Sequence, residues 1–196
     1  PRAAFNLAQK ALTLSAFFSF AVAGFFIALG KPVGDLLYRG FALESIIRGF
    51  AAGIPFFYTG NILRAILRGI GNNRTPLINS IVNFFVTNIL LWWLSPWFGI
   101  YGYAIAMITA DAVTAWVSIA ELERAFRRQL DMLNIVLKPL ICCAFMVFIL
   151  SRTYTPLISL GLGNFISIAF SAFLGSSGYL LLALTLGVNV LEFKAN

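Results

Sequence analysis

Two arginines one helical turn apart, Arg64 and Arg68, are the residues in this chain most suited to chemistry. Tyr58 and Asn61 precede them at spacings of three and four residues, which puts all four side chains on one face of a helix. A planar guanidinium gives a phosphate two parallel hydrogen bonds. The set therefore reads as a receptor for a phosphate group at the mouth of a cavity. The plainer reading is that Arg64 and Arg68 mark a membrane boundary and snorkel to lipid headgroups. Asp111 sits inside an apolar run, where an ionisable residue is expensive and is a functional candidate by default. It reads as a proton or ion site, or as a hydrogen-bonded contact between helices. Asn79, Asn83 and Thr87 recur every four residues and form a polar stripe, suited either to a hydrated path or to joining two helices.

Other chemistries lack their residues. Histidine is absent, so histidine-based acid–base and metal chemistry are excluded. Cys142 and Cys143 are adjacent within an apolar run; they form no metal cage alone, and a bond between neighbours would strain the backbone. No metal and no organic cofactor is expected; a proton or Na⁺ is the one small ion in view, at Asp111. A glycosyltransferase or polymerase would need acidic metal ligands or a large outer loop, and neither is evident. The expectation is a protein that is not an enzyme.

The elements that position these residues follow from composition. Of the 196 residues, 60% are hydrophobic and 11% charged, against about 25% charged in soluble domains. That excludes a soluble globular enzyme and a disordered chain. The net charge of +7 would suggest nucleic acid in a soluble protein, but beside apolar spans it follows from basic loops on the cytoplasmic side. No nucleic-acid partner is expected.

A helix needs about 20 apolar residues to cross the bilayer core. Six candidates meet that length or approach it: 11–30, 44–63 (or to 70), 77–98, 103–120, 135–150 and 164–188. Six spans put Arg2, Lys10, Arg64, Arg68, Arg74, Arg124, Arg127, Arg128, Lys138 and Lys194 on one side, and Lys31, Arg39, Arg48 and Arg152 on the other. Ten against four makes that side cytoplasmic, with both ends of the segment there. Trp92, Trp93, Trp97, Tyr101 and Tyr103 gather at the opposite side as an interfacial belt. Gly69 to Asn73 can end the second helix, Thr75-Pro76 can open the third, and Asn134 can cap the fifth. Pro55, between Gly53 and Gly60, should bend the second helix. Glu44 and Arg48 are spaced to pair.

Three stretches resemble a known family. The run Pro55-Phe-Phe-Tyr-Thr-Gly-Asn-Ile-Leu-Arg-Ala-Ile-Leu-Arg-Gly-Ile-Gly-Asn-Asn-Arg-Thr-Pro76 is similar to the region around the tenth span of the multidrug/oligosaccharidyl-lipid/polysaccharide (MOP) flippase superfamily. There a helix ends in a Gly-x-Gly-Asn turn and an x-Pro pair opens the next; Asn83 and Asn88 sit where that next helix tends to carry an Asn. Pro96-Trp-Phe-Gly-Ile-Tyr-Gly-Tyr-Ala-Ile-Ala106 resembles the superfamily's next turn and helix start. Leu137-Lys138-Pro139-Leu140 is similar to the opening of the thirteenth span in the stage V sporulation protein B, or polysaccharide biosynthesis protein, branch, to which lipid II flippases are related.

The resemblance implies an all-α, polytopic transmembrane bundle that forms the C-terminal part of a fold of about fourteen spans. Residues 1–128 would complete the C-terminal lobe with four helices, and 129–196 would add two more. It implies two lobes that rock about a central cavity, moving a lipid-linked, pyrophosphate-bearing sugar precursor outward across the bacterial cytoplasmic membrane by alternating access. The partners implied are that anionic lipid-linked saccharide, membrane lipids and an N-terminal lobe of the same chain, which in the relatives carries the main cavity arginines. Cell-envelope, peptidoglycan or spore-wall synthesis is the implied process. Substrate contacts are expected at Arg64, Arg68, Asn61, Tyr58 and Asn83, and ion coupling at Asp111. A cation-coupled multidrug exporter of the same superfamily and a non-transporting membrane scaffold are the alternatives.

Overall fold

The structure, a computed structural model, describes residues 2–37, 43–161 and 163–187. Arg39, Lys194 and Val188, used above for charge topology and for the end of the sixth span, lie outside the described residues. Those described fold into α1 (Arg2–Leu37), α2 (Glu44–Gly69), α3 (Arg74–Phe98), α4 (Ile100–Phe126), α5 (Lys138–Ser159) and α6 (Asn164–Thr185). A π-helical turn, Leu133–Leu137, leads into α5. No strand occurs among the described residues. All six helices are long and apolar enough to cross a membrane, so the six-span helical bundle expected from the sequence is the architecture found.

Helix lengths differ from the apolar runs. The 36 residues of α1 extend about 54 Å, well beyond a hydrocarbon core of roughly 30 Å. The α5 helix runs on to Ser159, past the apolar run that ends at Leu150, through Ser151, Arg152, Thr153, Tyr154 and Thr155. The hydroxyls explain this: Ser151, Thr153 and Thr155 donate to the carbonyls of Val147, Ile149 and Ser151 one turn back. Their polarity is absorbed by the helix itself.

Turns follow the same local chemistry with different actors. After α2, Gly71 takes φ +85°, and the Asn72 amide bonds back to the Leu67 carbonyl at 3.0 Å, closing the helix end. Asn72 then opens α3: its Oδ1 accepts from the Thr75 amide at 3.1 Å. The capping side chain is therefore Asn72, not Thr75, because a loop Asn reaches both the helix it leaves and the one it enters. Before α5, Asp131 accepts from the Asn134 amide at 3.3 Å, so Asp131 takes the capping part expected of Asn134. Gly99, at φ +54°, makes the sharp α3–α4 turn. A Cβ on Gly102 would lie 2.7 Å from the Leu94 carbonyl oxygen, so only glycine lets α4 start this close to α3.

Packing does not follow chain order alone. The α3 helix lies on α4, α4 on α2, α2 on α1, and α1 on both α5 and α6, while α3 barely touches α2. Two apolar clusters result. One joins α1, α2 and α4 through Leu12, Leu63, Leu67 and Leu122, and also takes in Leu130 and Ile135 from beyond the 128/129 division. The other joins α1, α5 and α6 through Phe17, Leu29, Met146, Leu150 and Tyr179. At α3 only Pro76 and Asn79 are buried among the described residues. The N-terminal end of α2 is fastened at several points. Arg48 pairs with Glu44 at 2.6 Å, and its Nε donates to the Ile27 carbonyl of α1 at 3.0 Å. Tyr101 donates to the Ser45 hydroxyl.

Candidate functional site

The polar stripe of α3 faces α4. Asn79, fully buried, donates to the Ser118 hydroxyl at 2.7 Å and to the Thr114 carbonyl at 3.4 Å. Ser118 and Thr114 in turn donate to backbone carbonyls of α4. One turn along, Asn83 Nδ2 donates to Asp111 Oδ1 at 2.9 Å, and the Thr87 hydroxyl donates to Asn83 Oδ1 at 3.5 Å. The structure thus brings Asn83 and Asp111 together and makes the stripe a seam between two helices. Sequence spacing shows that Asn79 and Asn83 share a face; it does not show that Ser118 and Thr114 meet them.

Asp111 is buried, with 8% of its surface exposed. No ion pair involves it among the described residues. Its Oδ2 has no hydrogen-bond partner there either, Asn83 occupying Oδ1. On the side away from α3 it borders a crevice between α2 and α4 of about 210 Å³, walled by Phe50, Gly53, Phe57, Met107 and Ile108. Gly53 sets the width of that crevice: a Cβ there would fall 2.7 Å from Ile108 Cγ1.

Arg64 and Asn61 also meet. Arg64 Nη2 donates to Asn61 Oδ1 at 2.9 Å, and the guanidinium nitrogens lie 4.0 Å from where a Gly60 Cβ would stand. The arginine is half-buried and pre-set against its own helix. Arg68 is exposed one turn further on. Neither forms an ion pair among the described residues, so both keep donors for an anion. Tyr58 is 43% exposed and stacks edge-on with Phe57; among the described residues no hydrogen bond or cation–π contact joins it to Arg64. Phe57, Asn61, Arg64 and Arg68 lie at helical spacing along α2, with the arginines about two and three turns beyond Phe57.

A second concavity, about 360 Å³, lies at the end of α4 between Glu123, Arg124, Arg127 and Arg128. By sequence these arginines stand out only as markers of membrane topology. Arg127 ends α4 in the left-handed region, φ +51°, Arg124 pairs with Glu121 at 3.1 Å, and Arg128 stacks over Phe5 at 5.7 Å. Among the described residues no group of His, Cys, Asp and Glu could hold a metal ion.

No curated protein and no solved structure matches the chain. The family model described as "Lipid II flippase MurJ" matches residues 2–170, from the start of α1 into α6. A multi-pass helical bundle, matched over that length, belongs to the lipid II flippase MurJ family of membrane transporters.

Proposed function

We propose that this chain forms part of a flippase that carries a lipid-linked oligosaccharide or peptidoglycan precursor across the bacterial cytoplasmic membrane by alternating access, for cell-envelope or spore-wall synthesis. The observation that carries this reading is the family match over residues 2–170. Residues 1–128 belong to the lobe that rocks, and the helices of 129–196 are the added pair. Both ends of the segment face the cytoplasm, in keeping with the basic residues at the ends of α2 and α4.

In this reading Arg64 and Arg68 receive the pyrophosphate. The Asn61 bond holds the Arg64 fork in place before substrate arrives, which lowers the entropy cost of binding. Tyr58 and Asn83 contribute polar contacts along the same path. The coupling ion, a proton or Na⁺, acts at Asp111. A drug exporter for cationic substrates fits less well, because two unpaired guanidiniums beside the path repel a cation.

The test is charge reversal. Arg64→Glu with Arg68→Glu is expected to abolish precursor flipping in proteoliposomes of the full protein while membrane insertion and yield stay unchanged. Normal flipping by that double variant would remove these arginines from the substrate path.

A further inference from the structure

The concavity at the end of α4 has no part in the flipping reading, which places the substrate's phosphates on the arginines of α2. We infer that it is a binding site for the headgroup of an anionic glycerophospholipid of the phosphatidylglycerol class, with the phosphate diester held by Arg127 and Arg128.

Depth argues first. Arg124 stands about 36 Å along α4 from Ile100, and the exposed Trp97 and Tyr101 beside Ile100 are anchors of one interface. The hydrocarbon core is roughly 30 Å thick, so Arg124 to Arg128 fall in the headgroup layer of the other leaflet. Charge argues next. Three arginines and one carboxylate wall the concavity of about 360 Å³. That carboxylate, Glu123, already accepts from the Leu130 amide at 2.9 Å. The Arg127 and Arg128 amides bond back to the Arg124 and Glu123 carbonyls, covering the helix end that would otherwise repel an anion. Neither Arg127 nor Arg128 forms an ion pair among the described residues. Preorganisation argues third. Arg128 is held over the Phe5 ring, which itself packs edge-on against Phe126, so little side-chain freedom is left to lose on binding. Arg127 is the only non-glycine with positive φ among the described residues, at +51°. Glycine fills such a helix end without strain; arginine accepts the strain and brings a guanidinium to the concavity. The apolar edge argues last. Ala120, one turn nearer the bilayer than Arg124, lines the same hollow, where a lipid's glycerol and acyl carbons would lie and a soluble phosphate would leave the surface bare.

The experiment measures binding, not transport, so it stands or falls separately from the flipping reading. Dioleoylphosphatidylglycerol, dioleoylphosphatidylcholine and soluble glycerol 3-phosphate are each titrated against the full protein in detergent, and affinity is read from the rise in unfolding temperature. Phosphatidylglycerol is expected to raise it at concentrations where the other two do not. Arg127→Gly suits the left-handed turn, so its unfolding temperature without lipid is expected to be undiminished. Its affinity for phosphatidylglycerol is expected to fall about tenfold, the loss of one charge-assisted hydrogen bond. Ala120→Phe, which fills the hollow without touching the charge, is expected to weaken phosphatidylglycerol as well. Lys10→Gln with Arg74→Gln removes two exposed cations that do not line the concavity and is expected to change nothing. An equal response to phosphatidylcholine, an equal response to glycerol 3-phosphate, full affinity in Arg127→Gly or in Ala120→Phe, or an equal loss in the Lys10 and Arg74 variant would each overturn the proposal, the last by showing diffuse surface charge in place of a site.

Discussion

Along the α3–α4 seam the helices meet through Asn79, Asn83, Thr114, Ser118 and Asp111. Along the α1–α5–α6 seam they meet through Phe17, Leu29, Cys142, Met146 and Leu150, with Tyr179 bonded to a backbone carbonyl in their midst. Lipid tails are as apolar as leucine, so neither seam is driven together by the hydrophobic effect; close packing and hydrogen bonds do the work. The apolar seam reaches close packing through small residues. Gly175 and Gly178 sit where a Cβ would lie 2.6 Å from Leu150 Cδ2 and from Ile149 Cδ1. The polar seam gains register instead, since each amide meets its partners at one height. It also keeps a carboxylate oxygen in reserve at Asp111, which the apolar seam has no counterpart for. One seam is closed by apolar packing and the other carries an ionisable group.

The largest effect should come from removing that difference. Asp111→Asn is expected to eliminate the proton or Na⁺ dependence of flipping, measured in proteoliposomes with imposed gradients, while changing thermal unfolding little because Asn still accepts from Asn83. Unchanged ion dependence would make Asp111 a structural contact, and the two seams would then differ only in polarity.

Overpacking the other seam should act on stability alone. Gly175→Leu drives a side chain into Leu150 and is expected to cost about 1–3 kcal/mol, read as a lower unfolding temperature in detergent with ion dependence intact. No loss would mean that α5 and α6 have room to separate, and that the small residues of α6 are not what holds the seam.

The same contrast explains what could be read from residues alone. Spans were legible because apolar length is a one-dimensional property, and the turns at Gly71 and Gly99 announce themselves by residue type. Helix ends were not, because Ser151, Thr153 and Thr155 lower the hydropathy of α5 while bonding within it. The Asn61–Arg64 pair follows from spacing on one helix. The Asn83–Asp111 pair does not: the residues are 28 positions apart, and periodicity gives a face without naming the helix opposite. Nor does any pattern foretell the crevice, whose width depends on Gly53 of α2 meeting Ile108 of α4.

The smallest effect tests whether hydrogen bonding matters in the apolar seam at all. The Tyr179 hydroxyl donates to the Phe17 carbonyl at 2.7 Å, and the two rings pack with centroids 4.9 Å apart. Tyr179→Phe keeps the ring contact and deletes only the donor. Phe17 lies mid-helix in α1, where its carbonyl retains the helical amide of the next turn as a partner, so no buried group is orphaned. The expected cost is about 0.6 kcal/mol, the average for interhelical hydrogen bonds in membranes, measured by reversible unfolding beside Gly175→Leu. A cost equal to that of Gly175→Leu would put a hydrogen bond, rather than packing, at the centre of this seam and erase the distinction between the two.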